Sequence, residues 1–293
     1  MNPGIQASPA PVIGVPQSTV GPRRSVRRID AATATAAGFL VLITVAAAAA
    51  PVLGLPDPDR IQLANSMVSP LTDGHILGTD QLGRDVLSRL VWGARPALLE
   101  GVLPVLLATL IGVLIGGLAG FLGGVSEGVA MRTTDALLAI PPVMMGIAVG
   151  ATLGPGLRNV VIAMMIVLVP PITRVARGAV LEVRSQAYVS AARSVGVREH
   201  LVFLRHVLPN ALPGVLVYSF SLVGIMIVFA AGLSFIGLGV QPPTADWGRM
   251  VNESRLVLTT APWVATAPGF AIFLVGLSFG LVGEAVDKRV RQR

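Results

Sequence analysis

The stretch AYVSAARSVGVREHLVFLRHVLP, residues 187–209, is rich in charged residues, whereas the rest of the chain is mostly apolar. Its first half has an apolar helical face with i, i+3, i+4 and i+7 spacing, made of Tyr188, Ala191, Ala192 and Val195. Its second half has another apolar face, made of Val197, Leu201, Leu204 and Leu208. Proline cannot continue helical hydrogen bonding, so Leu208-Pro209 should end the second helix. We therefore predict two short amphipathic helices hinged at Gly196.

The pattern of this stretch fits two interpretations equally well. Short amphipathic helices between membrane spans can dock onto a soluble partner. They can also lie as a hairpin on the lipid headgroups.

The composition identifies a membrane protein. The chain has 293 residues, of which 53% are hydrophobic and 13% charged, and its mean hydropathy is +0.76. A soluble domain carries about a quarter charged residues. The net charge of +7 is explained by positive-inside topology, so we expect membrane lipid and no nucleic acid as a partner. Zero cysteines exclude disulfides and thiolate metal sites. We predict an all-α polytopic fold, since each apolar run must satisfy its own backbone in lipid.

The uncharged runs predict six spans, at about 31–55, 97–122, 134–153, 159–177, 212–236 and 263–283. Both ends of the chain are basic, so both termini are predicted to be cytoplasmic. Residues 1–30 would be a disordered basic tail, 178–211 a cytoplasmic loop and 289–293 a second basic tail. The segments 56–95 and 240–262 would lie outside. In the first of these, Thr79 or Asp80 could cap a short interfacial helix with an Asp85–Arg89 pair.

Glycine and proline patterns indicate packing and a pathway. Gly112, Gly116 and Gly120 repeat every four residues, a spacing that lets helices approach closely. Pro141-Pro142 should break or kink the third span, whereas Pro170-Pro171 should shorten the regular part of the fourth. Broken helices often line transport pathways. The candidate pathway-lining residues are Pro141, Pro142, Ser219 and Ser221.

Several kinds of chemistry are absent or poorly supported. The only lysine is Lys288, so no phosphate-binding loop of an ATPase is possible. The G-x-S-x-G match around Ser278 lies in a predicted span, without the strand–turn–helix that a serine hydrolase needs. A secondary transporter would need acids deep in its spans. The candidates Asp135, Glu100 and Glu284 are all predicted near span ends. We predict no catalytic site and no metal site.

At 187–209 the sequence resembles the cytoplasmic docking loop of ABC-importer permeases. The family pattern is EAA, three residues, Gly, nine residues, Ile, one residue, Leu-Pro. The residues that match it are Ala191, Ala192, Gly196, Leu208 and Pro209. Ser190 stands where the pattern has Glu, and His206 where it often has Ile. The segments 78–95, 137–149, 205–213, 231–248 and 261–269 are similar to the dipeptide/oligopeptide/nickel branch, in particular to its C-type permease subunit.

The resemblance implies a type I ABC-importer permease fold and a non-catalytic pore subunit in a bacterial inner membrane. It implies a second, homologous permease subunit and two ATP-binding subunits or domains that hold ATP and Mg²⁺. It also implies an external substrate-binding protein. The implied docking residues are Ser190, Ala191, Ala192, Gly196, Leu208 and Pro209, and Arg193, Arg198 and Arg205 could pair with acids on the ATPase. The implied substrates are dipeptides or longer peptides, with nickel or another small solute as the alternative.

Overall fold

The structure is a computed structural model that describes residues 31–290. The predicted tail at 1–30 and the last residues, 291–293, lie outside the described residues. Helices dominate the described chain: α1 (Ala31–Ala49), α2 (Val86–Leu122), α3 (Gly124–Leu138), α4 (Pro142–Leu153), α5 (Leu157–Arg184), α6 (Ala187–Ser194), α7 (Glu199–Leu201), α8 (Leu208–Phe235), α9 (Trp247–Ser254) and α10 (Trp263–Val290). A π-helical turn, Val202–Val207, joins α7 to α8. Short 3₁₀ turns cover Ala50–Val52, Leu63–Asn65 and Arg255–Val257.

Five helical runs are long and apolar enough to cross a membrane: 31–52, 86–122, 157–184, 199–235 and 263–290. The pair α3 and α4 becomes a sixth span if it is counted as one, with a bend of 89° between them. Pro141 and Pro142 lie at this bend, as predicted. The predicted all-α fold with about six spans is confirmed. We call the end of the bundle that carries α6 the inner end, and the end that carries α9 the outer end.

α2 begins eleven residues before the predicted start of the second span. Asp85 caps it by accepting the backbone N–H of Ser88 at 2.7 Å, so residues 86–95 are helical and the predicted cap at Thr79 or Asp80 is wrong. Because α2 begins early, Glu100 lies well inside this helix and is buried, whereas the sequence predicted it near the end of a span.

α5 continues through Pro170-Pro171, contrary to the expectation that these prolines shorten its regular part. The reason is tertiary packing, which overrides intrinsic propensity. A Cβ atom at Gly112 would lie 2.7 Å from Cγ2 of Ile172, and one at Gly116 would lie 2.1 Å from the carbonyl oxygen of Thr173. The glycine stripe of α2 therefore packs directly against the α5 backbone just after the prolines.

Leu208-Pro209 does not end a helix, and that prediction is wrong. α7, the π-helical turn and α8 form one run from Glu199 to Phe235. Pro209 lies in the first turn of α8, directly after the π-helical turn. A proline inside a helix lacks an N–H and crowds the carbonyl four residues earlier, here that of Arg205. The local change of hydrogen-bond register in the π-helical turn accompanies the proline without breaking the run.

The main core lies where α2, α5, α8 and α10 meet, and it contains Val105, Met164, Ile172, Ile227 and Val275, each no more than 3% exposed. A second, smaller core lies at the inner end beneath α6.

The predicted loop 178–211 is shorter in the structure, because residues 178–184 belong to α5 and residues 208–211 belong to α8.

Candidate docking surface and inner cleft

The turn after α6 is fixed by a Schellman motif. Gly196 has φ +82°, its N–H donates to the carbonyl of Arg193 at 2.9 Å, and the N–H of Val197 donates to the carbonyl of Ala192 at 3.2 Å. This pair of bonds ends a helix when the residue at the left-handed position is glycine. The spacing Ala192-x3-Gly196 is therefore the spacing of a helix C-terminus, and Gly196 is required by its backbone conformation.

A small core holds α6 in place. Val189 is its buried side chain, at 0% exposure, and it joins a cluster with Val180 of α5, Phe121 of α2 and Val202 and Val207 of the π-helical turn. The rings of Phe121 and Phe203 pack with their centroids 5.0 Å apart. α6 is thus packed onto three elements of the inner end.

Several apolar side chains of this hairpin are exposed. Tyr188 is 45% exposed, Val195 80% and Leu204 54%, and Ser190 and Ala191 are also exposed. We call these five residues the docking patch. The first predicted apolar face therefore points outward in large part, whereas only Leu204 of the second face is exposed. Val189, which the pattern did not single out, is the buried residue of α6.

The three arginines of the loop differ. Arg193 forms an ion pair with Glu199, Nε to Oε1 2.9 Å, and its guanidinium lies over the ring of Phe121 at 5.6 Å. It contributes to holding the hairpin together. Arg198 and Arg205 are exposed. Their positions suit them better than Arg193 to contact another molecule.

Leu208 and Pro209 lie away from the turn at Gly196, in the first turn of α8. Leu208 is half-buried and Pro209 is exposed. The motif that the sequence shows as one pattern is therefore divided in the structure between a helix C-cap and the start of a spanning helix.

A cleft of about 960 Å³ opens at the inner end between α5, α8 and α10. Its walls include Gly214, Tyr218 and Ser221 of α8, and acidic side chains come from Glu182 of α5 and from Glu284 and Asp287 of α10. Ser221 donates to the carbonyl of Tyr218 at 2.7 Å.

The structure does not bring the four candidate pathway residues together. Ser221 lines the inner cleft, whereas Ser219 is 4% exposed and lies in the interior of α8. Pro141 and Pro142 are exposed at the bend between α3 and α4. Ser278 lies within α10, in a helical context unlike that of a hydrolase nucleophile.

Sequence reasoning missed a charged cluster at the outer end. Arg84 binds Asp80, Nε to Oδ2 2.6 Å, and Glu253, Nη2 to Oε2 2.9 Å. Arg89, only 1% exposed, lies 3.8 Å from Asp80 and 3.5 Å from Glu253. Arg249 completes the cluster by a 2.8 Å ion pair with Glu253. The cluster links the segment before α2 to α9.

The predicted Asp85–Arg89 pair is replaced by this arrangement. Asp85 caps α2 and lies 2.7 Å from Nδ1 of His75, so Arg89 is free to reach across to α9. At Glu253, burial alone would raise the carboxyl pKa. The three arginines outweigh that effect and hold the pKa below its usual range.

Structural similarity to solved proteins shows the fold. The fold matches that of an amino acid ABC transporter, solved with histidines, with a TM-score of 0.55 and 17% identity over 69% of this chain and 94% of that one. It matches the inward-facing MetNI methionine ABC transporter with a TM-score of 0.55 and 18% identity over 70% and 95%. At such identities the likeness shows the fold, which is that of an ABC-importer permease.

Sequence similarity shows the family. Residues 112–292 match the family described as "Binding-protein-dependent transport system inner membrane component", and this chain belongs to it. It is 39% identical to the glutathione transport system permease protein GsiD of Escherichia coli O1:K1 / APEC, over 88% of this chain and 86% of the relative. It is 41% identical to GsiD of Shigella flexneri serotype 5b over the same shares. The chain is a permease subunit of an ABC importer and a multi-pass inner-membrane protein.

Proposed function

We propose that this permease moves dipeptides or longer peptides into the cytoplasm by alternating access, driven by separate ATPase subunits that bind the docking patch. The observation that carries the proposal is the docking patch itself. It is an exposed apolar surface on a helix whose position is fixed by a buried valine and whose end is fixed by a glycine turn. An amphipathic helix presented in this way suits a groove on a partner.

The proposed assembly contains a second, homologous permease, two ATP-binding subunits or domains, and an external substrate-binding protein. ATP and Mg²⁺ would bind to the ATPases, and this chain would bind neither. The inner end would face the cytoplasm, together with both termini. The family description, which names binding-protein-dependent transport, supports the ATPase and binding-protein partners.

The structure offers a route from the docking patch to the spans. α6 packs against the π-helical turn, which is continuous with α8, and α8 lines the inner cleft. Closure of the ATPases would therefore tilt α6 and α8 together, and a rigid-body movement of this kind opens or closes a pathway. In this proposal Arg198 and Arg205 form the charged rim, and Ser190 replaces the family's glutamate at the contact.

The docking role is tested by Val195→Asp, which places a charge in the docking patch. In the complex reconstituted with its ATPases and binding protein, we expect substrate-stimulated ATP hydrolysis to be lost while membrane insertion stays normal. The matched control is Val125→Asp, since Val125 is 84% exposed on α3 and outside the patch. Full coupling in Val195→Asp, or equal losses in both variants, would refute the proposed contact.

The substrate class is tested in the same reconstituted system. We expect uptake of a labelled dipeptide or of glutathione, because GsiD relatives are named as glutathione permeases. Uptake of nickel ions and no peptide would place the chain with the alternative substrate. Uptake without any ATPase would instead indicate a secondary transporter.

The pathway is tested by single cysteines, since the chain has none of its own. We propose that the bend at Pro141-Pro142 and the Ser219–Ser221 region of α8 line the pathway. Cysteines at 141, 142 and 221 should react with a water-soluble reagent in a way that depends on ATP, whereas a cysteine at the buried position 219 should react only in a state that exposes it. Labelling by membrane-dissolved reagents alone would count against this lining.

A further inference from the structure

Two buried carboxyl groups face one small pocket near the outer end. Glu100 of α2 and Asp246, the residue before α9, are each 1% exposed. Both line the same pocket, together with Ile227 of α8, Trp247 of α9 and Ile272 of α10. Neither acid takes part in the proposed docking or pathway.

The two acids differ in how they are bonded. Asp246 is the N-cap of α9, and its Oδ1 accepts the backbone N–H of Arg249 at 2.8 Å. Oε1 of Glu100 is buried and has no hydrogen-bond partner among residues 31–290. A buried carboxyl oxygen without a partner is costly when the group is charged. Glu100 is therefore the acid that needs a proton.

No positive charge faces the pocket directly. Its lining contains apolar residues and the two acids. Among the nearby charged groups, Arg249 is held by its ion pair with Glu253, and Arg89 lies in the outer charged cluster between Asp80 and Glu253. Burial raises the pKa of Asp246, and the N–H bond from Arg249 opposes that rise without cancelling it.

The small size of the pocket favours a proton over a metal cation as its ligand. The pocket leaves no room for a water molecule. A sodium or calcium ion needs about six oxygen ligands, and the described part of the chain contains no cluster of three metal-ligating side chains. A proton needs no such shell.

We propose that Glu100 is a proton-binding site, which holds one proton in the buried pocket that it shares with Asp246, between α2 and α9. Like charges in one buried pocket repel each other, so a proton on one of the two carboxyls relieves that repulsion. The proton is carried by Glu100, because Asp246 already acts as the acceptor that caps α9. Loss of the proton would leave two negative charges in the lining of one buried pocket and would weaken the packing of α9 on α2.

The sign of the pH dependence follows. The folded chain holds a proton that the unfolded chain releases at about pH 4, the ordinary range of a carboxyl group. Its stability therefore falls as the pH rises above that value. Glu100→Gln keeps the shape and cannot lose the proton, so we expect its Tm to lie about 2–4 °C above that of the wild type at neutral pH. The matched control is Asp73→Asn, an exposed acid at the outer end.

The proton itself is detected by infrared spectroscopy of the full-length chain in lipid nanodiscs. We expect the carbonyl stretch of a protonated carboxylic acid at neutral pH in the wild type and in Asp73→Asn, and its loss in Glu100→Gln. Absence of that band from the wild type at neutral pH would overturn the proposal. So would a sodium-dependent rise in the wild-type Tm that Glu100→Gln abolishes, since the ligand would then be a metal cation.

Discussion

α2 packs so closely on α5 at Gly116 that adding a methyl group there should destabilise the protein by an amount that the distances allow us to estimate. In Gly116→Ala, the added Cβ would lie 2.1 Å from the carbonyl oxygen of Thr173 and 2.9 Å from its carbonyl carbon. Contacts below 3.0 Å are essentially never seen for real Cβ atoms, and a backbone oxygen cannot rotate away. The two helices must therefore separate by at least 3.0 minus 2.1, which is 0.9 Å.

The cost of this separation sets the expected change in stability. Overpacking costs about 1–3 kcal/mol, and a rigid backbone contact belongs at the upper end of that range. Replacing glycine by alanine inside a helix returns about 1 kcal/mol. The net loss is about 2 kcal/mol, which lowers Tm by about 4–8 °C for a chain of this size. Thermal unfolding of the purified protein in detergent measures this shift.

Gly117→Ala is the matched control for that measurement. It lies next to Gly116 in the same helix, but its added Cβ would meet only the ring of Phe203, at 3.6 Å, which is an ordinary contact. Its Tm should be unchanged or slightly raised, because alanine favours the helix. If both variants lose the same amount, or if Gly116→Ala melts with the wild type, close packing of α2 on α5 at this glycine is refuted.

Three further predictions follow from local contacts. Asp85→Ala removes the cap on the Ser88 N–H and should cost about 1 kcal/mol, whereas Asp85→Asn should retain most of it; chemical unfolding of the two variants checks this. Because the pKa of Glu253 is lowered on folding, its ion pairs stabilise the protein above the ordinary glutamate pKa and are lost as the pH falls through the lowered value. Acid melting curves should show this loss in the wild type and not in Glu253→Gln. Gly196→Ala strains a backbone at φ +82° by about 1–2 kcal/mol, so ATPase coupling in the reconstituted complex should weaken, while Gly196→Pro should abolish it and still insert.

Local chemistry made much of the inner end predictable. Four residues of spacing between Ala192 and Gly196 are enough to specify a helix C-cap, because both hydrogen bonds of the Schellman motif are local. The bend at Pro141-Pro142 was predictable for the same reason, since proline acts on its own turn of helix. The four-residue glycine repeat likewise predicted a close helix contact, although it could not say that the partner is α5.

Features that depend on distant contacts were not predictable. Glu253 follows Arg84 by 169 residues, so no local pattern pairs them, and the nearby Asp85–Arg89 spacing suggested a different bond. The early start of α2 has the same origin, because Arg89 is tolerated in a buried helix only when Asp80 and Glu253 neutralise it. The continuity of α5 through its two prolines likewise depends on packing against α2.

The continuity of the run from Glu199 to Phe235 changes how the docking motif should be understood. The sequence suggested a helical hairpin that ends at Leu208-Pro209 and is followed by a separate membrane span. In the structure the 37 residues of this run form one helical segment about 55 Å long, with Leu204 of the docking patch near one end and Ser221 in the wall of the inner cleft. In the proposed docking, a force applied at Leu204 would reach the cleft along one helical run, and a force applied to α6 would reach it through the small core beneath α6. The π-helical turn before Pro209 is the one irregular point on that route, and its side chains Val202 and Val207 are fully buried against Val189 of α6. The irregular turn is thus held by the same small core that holds α6, and the proposed docking would therefore move α6 and α8 as one body.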